Sequence, residues 1–411
     1  MGDVSAAVSR IQNNNKQSWN DWDVTTKELR DNTQAIKELK PNERNQAIEK
    51  LSDDELKHWA EETTGAYGPL PADERRELLN TLAASLDGKQ AARVADAFGA
   101  QDMAEAVATH GTAEQKRDFI AAMQDKANDS MQTHPSFGST ATTRGNAEAQ
   151  AIAHVLGSMR DQPEALGQAI EGLDKAGKLD DVLRTASGMR NTSIHSTSPY
   201  QSPTNLVSFS EKPLTDILAG VNNLPKDDPA RAQAFKASMG VLQEMQTGIG
   251  GGREGSNAQS VQNVADAMGK IFSREEAIER GLWQQPLNPD PANISLDDNI
   301  AVSHQNSGDL AWFYDQVKSG GPMDYKAGNG NPANAEDYEN FGNFNFGVAA
   351  AAFGFPEEIA KGGAGAYQLI SGTSEGMEWV SSYFDDPRDQ AQIAAGYDYY
   401  QSGMWRVWPN D

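Results

Sequence analysis

The chain has 411 residues with 59 acidic and 35 basic side chains, a formal net charge of -24 and no cysteine. That length predicts two or three domains at roughly 100 to 200 residues each. The absence of cysteine excludes disulfides, thiolate metal sites and a cysteine nucleophile, while the acidic balance argues against a broad nucleic-acid surface, where cations must meet phosphates.

No apolar run reaches the ~20 residues that a membrane helix requires, so no transmembrane segment is expected. The N-terminal residues MGDVSAAVSRIQNNNKQSW lack the apolar centre of a secretory signal, and export is expected to use a specialised route. Residues 1–40 are read as an N-terminal segment. From 41 to 281 the chain reads as short amphipathic helices divided by Gly, Pro, Asp and Ser. In LPADERRELLNTLAASLDG, Leu78, Leu79, Leu82 and Leu86 fall at helical spacing, with acids in the first turn and Gly88 as an expected stop. KQAARVADAFG and GTAEQKRDFIAAM repeat the design, and Ala-rich phrases recur from Gly145 and Gly255 without a fixed period. Residues 128–143 and 188–212, rich in Ser, Thr, Asn and Pro, are expected to be surface loops.

GIGGGREGS at 248–256 follows no strand and ends in no Gly-Lys-Ser/Thr, so it fails as a phosphate loop. The six histidines, His58, His110, His134, His154, His195 and His304, form no pair at metal-ligand spacing. The helical region therefore offers no visible chemistry, and delivery, docking or support is its expected work. Pro286, Pro289 and Pro291 mark 282–300 as a linker. Of 31 aromatic residues, 19 lie in 301–411, which sets that stretch apart as a second composition.

Within it, SGDLAWFYDQVKSGG opens on a capping residue, puts Leu310, Phe313, Tyr314 and Val317 on one helical face and stops at Gly320. AEDYEN reads as a short helix. In GNFNFG the Asn and Phe residues alternate, as on an extended segment with amides on one side and rings on the other; a tight turn bracketed by Gly342 and Gly347 is the alternative. Small residues from Gly347 to Ala352 would let another backbone come close. Pro356 starts a further helix with Glu357 and Glu358 behind it, and FDDPRDQAQIAAGYDYYQSG predicts a last helix from Asp386–Pro387 to about Gln401, before Gly403. The expected fold class is mainly α: a helical array followed by a small, mostly helical, aromatic-rich C-terminal domain.

The blocks WFYDQVKSGGPMDYK, YENFGNFNFG, GAGAYQ and DDPRDQAQIAAGYDYY, in this order, resemble the type 44 domain of bacterial polymorphic toxins over about the last 105 residues. The resemblance implies a toxin domain at 301–411 of a secreted interbacterial effector, a cognate immunity protein in the producer, and a secretion apparatus component or adaptor as partner. It does not supply the reaction, which must come from side chains.

Between Ala301 and Asp411, 15 acids face only 5 bases and a single histidine, His304, a poor inventory for metal-independent RNA cleavage. Carboxylates among aromatic rings suit carbohydrate instead, with peptidoglycan as the expected polymer and target-cell periplasm as the place of action. Glu339 is the expected proton donor, on the expectation that Tyr338, Phe341, Phe344 and Phe346 partly bury it; otherwise it is a solvated helix-end residue. Asp324 is the expected partner carboxylate, or a turn residue, with Lys326 orienting it and Tyr325 beside it at the substrate. Asp386 has the position of a helix cap as well as of a catalytic acid, and Asp385 is its neighbour. Asn343, Asn345 and Phe344 are expected to contact sugar. No cofactor and no metal are expected for this chemistry. Two alternatives stay open: a nuclease holding a divalent cation on Asp324, Glu339 and Asp386, and a membrane-perturbing hairpin built from GVAAAAFGF and GGAGAYQLI.

Overall fold

In the computed structural model, local sequence sets the helix starts. Thr25 and Glu28, Ser52 and Glu55, and Thr112 and Gln115 form reciprocal capping boxes that open the helices Thr26–Lys37, Asp53–Glu62 and Ala113–Met123. The structure describes residues 3–16, 24–65, 69–195, 204–249, 255–286, 294–318, 320–325, 335–361 and 387–409. These fall into two compact units, Met1–Ala237 and Ser238–Asp411.

The first unit is a stack of short helices. Leu78, Leu79, Leu82 and Leu86 are all buried, as their spacing predicts, and Trp59 meets Phe98 edge to face at 5.4 Å. Gly88, expected to stop a helix, instead begins the helix Gly88–Phe98 after the cap Asp87. A side chain at Gly88 would collide with the backbone of Asp118 and Phe119, so glycine there permits helix packing and not chain termination.

The two expected surface loops are largely strands. β1 (Met131–Ser136), β2 (Ser139–Arg144), β3 (Arg190–Ile194) and β4 (Thr204–Ser208) form an antiparallel sheet in the order β1-β2-β3-β4. Ser136 pairs with Ser139 across a two-residue turn, where Gly138 takes φ +79°. Most strand residues are exposed or only half-buried on both faces, so there is no apolar alternation for the sequence to display. Thr140, Thr142, Thr143 and Thr192 supply β-branched side chains instead.

The second unit contains the helices Ser256–Gly269, Arg274–Glu279, Leu296–Gln305, Leu310–Val317, Ala335–Phe353, Glu357–Ala360 and Pro387–Ser402, then a 3-10 turn at Met404–Arg406. It takes in residues well before the proline-rich 282–300 stretch. Arg406 Nε donates to Gln246 Oε1 at 2.8 Å, and Trp408 Nε1 donates to the Phe272 carbonyl at 2.9 Å. The expected linker itself ends inside the Leu296–Gln305 helix, whose Ile300 is a core residue.

The Ala335–Phe353 helix is the centre of this unit. Every residue from Phe341 to Phe353 is buried, as suits a helix enclosed on all sides. It corrects the expectation of a short helix followed by an extended segment: the Asn/Phe alternation is not a strand period here, since neighbours on all sides remove the need for one polar face. The terminal helix, Pro387–Ser402, crosses it where Gly347 faces the backbone of Ile393 and Tyr397, and Gly396 faces that of Phe344. The expected close approach of a second backbone thus occurs. Phe313, Phe353 and Phe355 pack with centroids 4.8 to 5.0 Å apart, so much of the aromatic enrichment is core. Gly403 ends the terminal helix at φ +71°, in the left-handed region.

Candidate functional site

The sequence-derived candidates separate into three groups. Glu339 lies on the exposed side of the central helix, with Tyr338 only half-buried beside it. It is not enclosed by Phe341, Phe344 and Phe346, which turn into the core; Phe341 and Phe344 point in other directions around the helix, and Phe346 shares its side of the helix only two turns further on, about 10 Å along the axis, so proximity in sequence does not make a pocket.

Asp324 accepts the Gly320 backbone N–H at 2.8 Å and thereby closes the turn after the Leu310–Val317 helix. Tyr325 is half-buried and hydrogen-bonded to the Asn299 amide at 3.1 Å, and burial raises its phenol pKa. Asn299 also donates to Asn345 Oδ1 at 2.8 Å, while Asn343 donates to Asp389 Oδ1 at 2.8 Å. Asn343 and Asn345 therefore point to different helices, both from fully buried positions, and do not line one side of a groove. Two residues apart on a helix means roughly opposite faces, where two apart on a strand would mean the same one. Phe344 is buried against Tyr399 at 5.7 Å. Lys326, Asp385 and Asp386 lie outside the described residues, as does GGAGAYQLI. GVAAAAFGF, the other half of the hairpin considered for membranes, is mostly interior to the central helix.

The second unit does have a cleft. About 280 Å³ in volume, it is lined by Arg274, Trp283, Ile294, Ser295, Leu296, Asp297, Tyr399, Met404, Trp405 and Trp408. The rings are held from behind. Trp405 stacks on Tyr400 with centroids 5.6 Å apart and donates its indole N–H to the Tyr400 carbonyl at 3.0 Å. The Arg406 guanidinium lies 4.2 Å from the Trp405 ring, and Trp283 and Trp408 pack at 5.3 Å. His304 reaches the same support, with Nε2 2.8 Å from the Tyr400 hydroxyl. Apart from Tyr399 these lining residues were not among the C-terminal helix signals, because Trp283 and Asp297 fall in the stretch read as linker and Trp405 and Trp408 follow the last predicted helix. Their indoles were the available signal.

The first unit also has cavities, of about 450 and 340 Å³, which share Glu105, His154 and Lys212 at their margins. His154 Nε2 lies 2.6 Å from Glu105 Oε2 on an open surface. Among the described residues no group of three His, Asp or Glu side chains could hold a metal ion, and no helix is long and apolar enough to cross a membrane.

Comparison with known proteins identifies one part of the chain. Residues 331–402 match the family described as Bacterial toxin 44. No curated protein and no solved structure matches the chain. The matched span runs through the central helix and ends with the terminal helix, so the two glycine-bearing helices that build the core of the second unit belong to it.

Proposed function

We propose, with a C-terminal segment of the bacterial toxin 44 type as the premise, that the chain is a secreted antibacterial effector whose second unit cleaves the glycan of peptidoglycan. The family match over 331–402 carries the toxin reading. The acidic, cation-poor makeup of 301–411 supports sugar as the target and the periplasm of a competitor as the place of action. The helical first unit serves delivery, through a secretion apparatus component or adaptor, and the producer is protected by a cognate immunity protein.

Glu339 is the proposed proton donor; its exposure gives a polymer access to it. Asp324 is the proposed second carboxylate, with Lys326, two positions on in the sequence, to orient it and Asp386, which precedes Pro387 in the sequence, as a further acid. The test is the purified chain on isolated peptidoglycan with chromatography of soluble fragments. Wild type should release muropeptides, and Glu339→Gln should abolish release with stability held within about 0.5 kcal/mol, as for other surface changes. Absence of fragments from the wild type would overturn the glycan reading and leave the toxin reading in place.

A further inference from the structure

The cleft beside Trp283 and Asp297 is a built binding surface that neither the proposed carboxylates nor the helix packing accounts for. Trp405 and Trp408 spend their indole N–H groups on the backbone carbonyls of Tyr400 and Phe272. Trp405 is further packed against Tyr400 and Arg406. Rings fixed in this way lose little conformational freedom when a ligand arrives. They are nevertheless only half-buried, and together with Trp283 and Tyr399 they line a cavity of about 280 Å³. That is just below the roughly 300–1,000 Å³ range of ligand pockets, a size for a single ring and not for an extended molecule.

Beside the aromatic walls are Arg274, whose guanidinium lies 5.5 Å from the Trp283 ring, and Asp297, a donor set and an acceptor set at the cleft. A neutral pyranose matches this combination. Its C–H faces lie on indole rings, and its hydroxyls give to a carboxylate and accept from a guanidinium. A phosphate-bearing ligand would meet Asp297 in the cleft and a chain of net charge -24 around it. We propose that this cleft is a sugar-binding subsite of the second unit that seats one pyranose of a β-linked N-acetylhexosamine chain. It rests on the glycan reading for the identity of the sugar. Of its aromatic walls only Tyr399 falls within the matched 331–402 span, so the subsite is largely an addition of this chain to the toxin segment.

The experiment is tryptophan fluorescence of the full chain titrated with tri-N-acetylchitotriose, with adenosine monophosphate as the second probe and muropeptide release measured on the same preparations. Saturable quenching by the trisaccharide is expected, with affinity falling about tenfold or more in Trp283→Ala, given the energy of one aromatic face. Asp297→Asn, which preserves shape, should weaken binding in the same direction and covers the case in which the Trp283 variant misfolds. No response to trisaccharide, a response only to the nucleotide, or trisaccharide binding indifferent to both cleft variants would each overturn the subsite. Binding without muropeptide release would support the subsite and overturn hydrolysis; release without binding would do the reverse.

Discussion

Gly347→Ala tests the helix crossing at the centre of the second unit. A Cβ at this position would stand 2.9 Å from the Ile393 carbonyl carbon and 2.9 Å from the Tyr397 nitrogen, and nearer still to the Ile393 oxygen. Since relaxed carbon contacts need about 3.5 Å or more, the central and terminal helices must part by about 0.6 to 1 Å, and a gap of that size forfeits a quarter to a half of the dispersion energy of each facing atom pair. The obstacle is backbone and cannot rotate away, so the cost belongs near the upper end of the ~1–3 kcal/mol of overpacking. Alanine returns about 1 kcal/mol through its helix propensity. The net expectation is destabilisation by about 2 kcal/mol, read in urea by the fluorescence of the second unit's tryptophans. Gly172→Ala is the control, because it is a helical glycine with open space around it and should stabilise the first unit by about 0.5 to 1 kcal/mol. Gly396→Ala meets Phe344 at the same crossing, so combining it with Gly347→Ala should cost less than the two separately. A Gly347→Ala chain as stable as wild type would refute the close-packed crossing.

Two further outcomes follow from burial. Asn345→Ala removes the acceptor of a fully buried amide network and should cost about 1 to 3 kcal/mol in urea unfolding; unchanged stability would contradict the structural role of the Asn299–Asn345 bond. Lys116 is buried in the Ala113–Met123 helix, and burial lowers its pKa below the ordinary 10.5. The unfolded chain then holds this proton more tightly than the folded one, so the Lys116 contribution to stability should rise as pH climbs from the lowered value to 10.5. Lys116→Met should stabilise at neutral pH by about 1 kcal/mol and lose that advantage at high pH, in denaturation series at several pH values; a constant difference across pH would count against it.

Helices with local signals were legible one by one. Thr112–Gln115 and Ser52–Glu55 announce their starts, Leu78, Leu79 and Leu82 their inner face, and Pro387 and Gly403 the ends of the terminal helix. The sheet was not, because its pairing joins 139–144 to 190–194, far apart in the chain, and its two open faces leave no alternating apolar pattern. The candidate acids were visible as residue types only. Whether Glu339 is enclosed depends on which way the rings of Phe341, Phe344 and Phe346 turn, and that is settled by the helix crossing and not by their closeness in sequence.

Composition determined that this is a cysteine-free, strongly anionic chain whose aromatic residues gather toward one end, apolar spacing and capping residues that it is mainly helical, and ordered short blocks near the C-terminus were enough to mark a toxin-like segment. Tertiary structure alone decided that Asn343 and Asn345 serve two different helix contacts, and that Trp283, Trp405 and Trp408 meet although more than a hundred residues separate the first from the others. The reason is that hydrogen-bonded turns and helix periods are written in neighbouring residues, whereas a cleft is made by the side chains left over when distant helices have packed.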